Sequence, residues 1–303
     1  MTARTSRQVE RAKEPKPSGR AKAGNHAAKS QLSTLRDRSA TRGRAVLVHG
    51  EQSAGKTVLA INEAPKPLLV LDCDNGLDSV IGIDLDDQVI IWEPANGVEY
   101  TREDLDNFRN YVRAGNWEHD YKTIVVDNLT AAQRPIIRGC MDEIIARLDD
   151  EKAAKRDPDV PSQSDWGKIY RWMDEWVRNI RDAKRRGVHV VFTAGTKEWL
   201  DTDADINRLM PDIEGRERNQ ITTHMDAVGW LEIDDDERLL HLGPTGAVIV
   251  KVRLPKKDWG REIEPIKDPD FNKMMKVVQI LGEEAPKKKR QTPKKDLPTR
   301  KRK

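Results

Sequence analysis

Apolar residues along this chain fall into two periods, and the alternation between them outlines the fold. Unbroken apolar runs of strand length occur at "AVLVH" (45–49), "PLLVLD" (67–72), "QVIIWE" (88–93), "KTIVVD" (122–127) and "VHVVFTA" (188–194). Runs without polar alternation belong to strands covered on both faces. Helical spacing appears between them. A helix is expected over about 55–62. Another is expected over 101–115, opened by a capping box of Thr101 with Asp104 and stopped at Gly115. Ile137, Cys140, Met141, Ile144, Ile145 and Leu148 form one helical stripe, and Ile169, Trp172, Met173, Trp176, Val177 and Ile180 form a second. Both stripes face a core. The segment "KRDPDVPSQS" between them contains two prolines and reads as a surface loop.

After residue 225 the pattern changes. "DAVGWLEI", "RLLHLG" and "AVIVKVRL" follow one another with only "DDDE" and "GPTG" between them. No helix fits in those gaps, so these strands should pair antiparallel. A last helix is expected over about 272–281. The fold class is therefore α/β: a mostly parallel sheet flanked by helices, with antiparallel strands added at one end.

Charge divides the chain more sharply than its net +3 suggests. Residues 1–44 carry 12 Lys/Arg against 3 Asp/Glu, and residues 286–303 carry 10 against 1. Both arms are poor in large apolar residues and are expected to be disordered, leaving an acidic body between them. The organisation expected is a basic arm (1–42), a single core (43–283) and a basic tail (284–303). The arms suit either a solubilising role or polyanion binding through counterion release. Two cysteines, Cys73 and Cys140, provide no disulfide framework, and no run approaches the roughly 18 apolar residues of a membrane span. A cytoplasmic protein with no membrane partner is expected.

The chemistry concentrates at Gly50-Glu51-Gln52-Ser53-Ala54-Gly55-Lys56-Thr57, which fits G-x-x-x-x-G-K-[ST] between a strand and a helix. Glycines let the backbone wrap so that successive amides point at phosphate oxygens. Lys56 would reach the β- and γ-phosphates, and the Thr57 hydroxyl would join the coordination of Mg²⁺. A metal also needs a carboxylate. Asp127 ends the strand "TIVVD", where it would hold Mg²⁺ or cap the following helix, a duty Thr130 could share. The residue after it is Asn128 rather than Glu, so a base must come from elsewhere. "DCDNGLD" places Asp72 and Asp74 at the edge of a neighbouring strand, and Asp74 is the candidate base. Asp-Asn-Gly is equally good turn chemistry. No N-K-x-D motif of a GTPase and no Arg-rich lid of a small-molecule kinase occur.

Four stretches, "GEQSAGKT", "LLVLDCDNGLD", "TIVVDNLT" and "VVFTAGTKEW", together with the later "PDIEGR", "MDAVGWLEI" and "VIVKVRL", resemble the RecA/RadA-like ATPase core. The likeness covers roughly residues 43–282 and is nearest to compact phage-encoded members associated with single-strand annealing and recombination. It implies a RecA-like P-loop fold, ATP with Mg²⁺, single-stranded DNA as partner, and a homo-oligomeric ring or filament. If phage-encoded, the protein would work in a bacterial host's cytoplasm. Asp74 falls where the family carries a catalytic Glu, one methylene longer. Thr193, Thr196 or Lys197 falls near the family's γ-phosphate sensor. Lys251 and Arg253 match basic positions that reach a neighbouring subunit's nucleotide; residues i and i+2 of a strand share a face, as such a finger requires. A charged edge strand is the other reading of that pair. The resemblance also implies two DNA-facing loops. One is 155–165. The other is 197–220, with Arg208, Arg216 and Arg218, and Trp199 and Trp166 stand near the two as base-stacking candidates. Two further readings stay open: a helicase loader or helicase-like motor, and a nucleotide-dependent DNA clamp that does not hydrolyse.

Overall fold

The computed structural model describes residues 42–80, 88–201, 205–214, 217–253 and 262–280. The basic arm up to residue 41, the basic tail, Arg216 and the side chain of Arg218 lie outside the described residues. In chain order the strands are β1 (Ala45–Gly50), β2 (Leu68–Asp72), β3 (Val89–Ile91), β4 (Thr123–Asp127), β5 (His189–Ala194), β6 (Thr196–Asp201), β7 (Ile206–Pro211), β8 (Ala227–Asp234), β9 (Glu237–His241), β10 (Lys251–Val252) and β11 (Ile266–Lys267). The helices are α1 (Lys56–Ile61), α2 (Arg102–Ala114), α3 (Leu129–Ile145), α4 (Asp150–Ala153), α5 (Gln163–Arg181), α6 (Glu217–His224) and α7 (Phe271–Ile280).

The main sheet runs β11-β9-β8-β1-β5-β4-β2-β3, with β10 also on β8. From β8 through β3 every pair is parallel; β9, β10 and β11 join antiparallel. This is the expected α/β architecture of a P-loop NTPase. Alternate strand residues feed two cores, as both-face burial requires. Leu47, Leu69, Leu71, Val126 and Phe192 pack with α2, α3 and α5 on one face. Val46, Val48, Leu68, Val70 and Val191 pack with Leu59 and Ile61 of α1 and with α7 on the other. Trp176 is fully buried, and its indole N–H donates to the Leu105 carbonyl at 2.8 Å, so a large ring enters the core without an unpaired donor.

Local signals explain the element ends. Thr101 and Asp104 form the expected capping box on α2, and Gly115 closes that helix at φ 71°. Two expectations are revised. The segment 197–220 is no loop: β6 and β7 form an antiparallel hairpin from Thr196↔Pro211 to Asp201↔Ile206, and α6 follows. "AVIVKVRL" gives only the two-residue β10. The free edge of β8 is already paired with β9 over Trp230–Asp234, so β10 finds only Ala227 and Val228. The preceding residues turn to β7 instead, where Ile249 N donates to the Leu209 carbonyl at 2.8 Å. The short strand β11, paired with β9, has too few residues to show a period.

Candidate phosphate-binding cleft

Strand β1 delivers the chain into the loop 50–57 at the carboxyl edge of the sheet. Gly50 is required by close approach: a Cβ there would stand 2.3 Å from the Leu231 carbonyl oxygen of β8. Ser53 at φ 65° and Gly55 at φ 89° turn the backbone back into α1. Among the described residues the amides of Gly55, Lys56 and Thr57 donate to no carbonyl of the chain, which leaves the donor cradle that a phosphate needs. Lys56 Nζ donates to the Glu51 carbonyl at 2.6 Å. Partial burial lowers its pKa, opposed by the nearby Asp127 and Asp74 carboxylates. The loop borders an open cleft of about 640 Å³ that extends to Asp74, Asp127, Asn128 and Gly195.

The structure brings together the side chains that the spacing singled out. The Thr57 hydroxyl donates to Asp127 Oδ2 at 2.6 Å, across 70 residues of chain. Thr193 Oγ1 donates to the other oxygen, Asp127 Oδ1, so both carboxylate oxygens are held. Burial raises the pKa of Asp127, and the two hydroxyl donors pull it back. Carboxylate oxygens of Asp72, Asp74 and Asp127 all lie within 4.8 Å of one another. Asp72 is committed locally: its oxygens accept from Gly76 N at 2.9 Å and Leu77 N at 3.1 Å, which shapes the turn after β2. Asp74 is exposed and borders the cleft. Partial burial, then the charges of Asp127 and Asp72, push its pKa up to about 6.

Asn128 accounts for the missing Glu. Its Oδ1 accepts from Ala131 N at 2.8 Å and caps α3, while its Nδ2 donates to Asp74 Oδ2. The helix cap is therefore Asn128, not Asp127, and Thr130 has a different task. Its hydroxyl donates to the Asp212 carbonyl and accepts from Gly195 N, both at 2.9 Å.

The donor set fits a hard divalent cation. A hydroxyl and carboxylates converge beside Gly76, where a Cβ would meet Asp74 Oδ1 at 3.0 Å, Thr57 Oγ1 at 3.4 Å and Asp127 Oδ2 at 3.5 Å. An all-oxygen site with space kept by a glycine suits Mg²⁺, which takes few protein carboxylates together with phosphate oxygens.

Lys251 and Arg253 share a face, as alternation requires, but neither borders this cleft. Lys251 Nζ donates to the Thr222 carbonyl at 3.0 Å and the Thr223 carbonyl at 2.8 Å; Arg253 Nη2 donates to the Thr223 carbonyl at 2.9 Å. In this chain they close the carboxyl end of α6, where cations are favoured. The segment 155–165 is a loop only as far as Ser162, since Gln163 to Asp165 open α5, and its cations are engaged: Lys155 pairs with Glu151 at 2.6 Å, and Arg156 pairs with Asp165. Trp166 is half-buried and stacks on Tyr170 at 5.2 Å. Trp199 is exposed on β6, opposite Arg208 of β7. The hairpin base is tied to the cleft through Gly195 and Thr130. On its other side buried His49, next to Gly50, meets Thr196 Oγ1 at 2.9 Å and the Ile249 carbonyl at 3.0 Å.

Among known families, residues 42–254 match the model of one described as an AAA domain. No curated protein matches the chain.

Proposed function

The chain belongs to the AAA domain family, and we propose that within it this protein is a RecA-like ATPase that binds single-stranded DNA and promotes annealing or recombination as a homo-oligomer. The observation that carries the nucleotide part is the 2.6 Å contact between Thr57 and Asp127 at the mouth of the loop. In this reading the amides of 55–57 and Lys56 hold the triphosphate of ATP. Thr57 and Asp127 would hold Mg²⁺, with Thr193 fixing the rotamer of Asp127. Bound there, the ion supplies positive charge to the phosphate oxygens. Asp74 would accept a proton from the attacking water, and Asn128 orients it.

The DNA part is supported by the position of the β6–β7 hairpin. Its base touches the cleft while Trp199, Leu200 and Ile206 are exposed along it, an arrangement suited to stacking on unpaired bases. The basic arms add non-specific capture of backbone phosphate. Lys251 and Arg253 would act across a subunit boundary only by leaving the α6 carbonyls.

A second reading, a clamp that binds ATP without efficient hydrolysis, is favoured by one feature: Asp74 is shorter than Glu and already bonded by Asn128. Steady-state ATP turnover measured alone, with single-stranded DNA and with duplex DNA separates the two. Stimulation by single strands supports the motor. Turnover that is equal in all three removes the DNA assignment, and ATP binding without turnover leaves the clamp.

A further inference from the structure

From Arg238 through Leu240 to Leu242, alternate residues of β9 and its extension share one face. Leu240 and Leu242 are buried in the core that α1 covers. Arg238, one step nearer the β8–β9 turn, comes out on that same face beside the phosphate loop. Its guanidinium lies against Gly55: a Cβ there would meet Arg238 Nη1 at 2.9 Å and Cδ at 3.5 Å.

The backbone of Arg238 is fixed, since it pairs with Ile233 and its carbonyl accepts from Asp268 N at 2.9 Å. Its side chain is not. Four acidic residues, Asp234 to Glu237, immediately precede it, yet Glu237 pairs with Lys267 at 2.6 Å. Among the described residues the Arg238 guanidinium takes part in no hydrogen bond or ion pair. A half-buried fork with five uncommitted donors stands beside a loop whose amides are also uncommitted. A phosphate oxygen is the complementary group, and guanidinium geometry matches it in two-point fashion.

We propose that Arg238 is a second cationic contact to the phosphate chain of the bound nucleotide, supplied by the same subunit from the β8–β9 hairpin. This inference rests on the nucleotide reading above. In the sheet β9 and β2 lie on opposite sides of β1, so Arg238 reaches the nucleotide from the side away from Asp74 and acts in binding rather than in water activation.

The test is equilibrium binding of ATP and ADP with Mg²⁺ to the full chain and to Arg238→Ala, Arg238→Lys and Lys56→Ala. Loss of a charged hydrogen bond predicts roughly 10- to 100-fold weaker ATP binding for Arg238→Ala. Arg238→Lys should recover part of the loss, and KM for ATP should rise by a larger factor than kcat falls. Thermal unfolding without nucleotide should stay at the wild-type midpoint, because among the described residues the guanidinium bonds to nothing. Wild-type ATP affinity in Arg238→Ala, alongside weakened binding in Lys56→Ala, overturns the role of Arg238 alone. Wild-type affinity in Lys56→Ala as well overturns both readings.

Discussion

His49 makes the fold sensitive to acid in a way that can be worked out from its surroundings. The ring is fully buried on β1, one residue before the phosphate loop. It is held neutral: Nε2–H donates to the Ile249 carbonyl, and Nδ1 accepts from Thr196. Burial lowers its pKa from 6.5 to about 4; the Ile249 carbonyl opposes the shift and the Lys56 charge adds to it. In the unfolded chain the ring protonates near the ordinary value. The unfolded state therefore binds more protons between the two pKa values, and stability falls as pH falls. At 1.36 kcal/mol per unit, about 2 kcal/mol is lost at about pH 5, and about 3 kcal/mol once the pH is below the folded pKa. The assay is urea unfolding at about pH 7.5 and about pH 5 for the wild type and His49→Gln, whose amide has the reach of Nε2 and can still donate to Ile249. Other groups titrate in this window. Asp74, raised to about 6, acts in the opposite sense by favouring the folded state at low pH. The difference between the two proteins isolates His49. The wild type should lose about 2 kcal/mol more than the variant; equal losses would refute the neutral buried ring.

Three other outcomes are expected. Lys184→Ala removes the 2.7 Å ion pair of the buried Asp226 carboxylate and leaves it the Ala45 amide at 3.0 Å and Arg253 at 3.5 Å. It should cost about 3 kcal/mol or more in chemical unfolding, whereas Lys184→Met with Asp226→Asn, whose amide oxygen can still accept from Ala45 N, should recover part of it; an undisturbed single variant would contradict this. Gly50→Ala drives a Cβ into the Leu231 carbonyl, so a loss of about 1–3 kcal/mol is expected, and an unchanged melting temperature would contradict the close strand approach. Replacing Lys251 and Arg253 together by alanine removes the cations from the carboxyl end of α6 and should cost about 1 kcal/mol or more in unfolding. If they also act between subunits, mixing this variant with Lys56→Ala restores ATP turnover, and a mixture as inactive as its parts removes the finger.

The residues that carried most information in the sequence were those whose neighbours in the chain fix their place. The strand, loop and helix of 45–61 lie together, so the cradle could be read directly. Asp127 could be placed because it closes the apolar run Ile124–Val126 of a buried strand, which puts it at the carboxyl edge of the sheet. What Asn128 does could not be read, because capping α3 and holding Asp74 use two ends of one amide, one of them 54 residues away in sequence. The β6–β7 hairpin was hidden because "TKEWLD" and "INRLMP" lack clean alternation, and neither strand belongs to the main sheet. Lys251 and Arg253 share a face as the alternation implied, but apart from Asp226 beside Arg253 their partners are carbonyls, which carry no residue signature. Arg238 did leave a signal, an arginine in phase with Leu240 and Leu242, and it became meaningful only once β9 was placed near the loop.

The proposed function requires the loop 50–57 to grip a triphosphate with Lys56 and the amides beside it. Calorimetric titration of ATP with Mg²⁺ into the wild type and Lys56→Ala tests it most directly. Saturable binding at one site per chain is expected in the wild type, and at least roughly tenfold weaker binding in the variant, the loss expected for a charged hydrogen bond to phosphate. Equal affinity in the two proteins, or no binding in either, would contradict it.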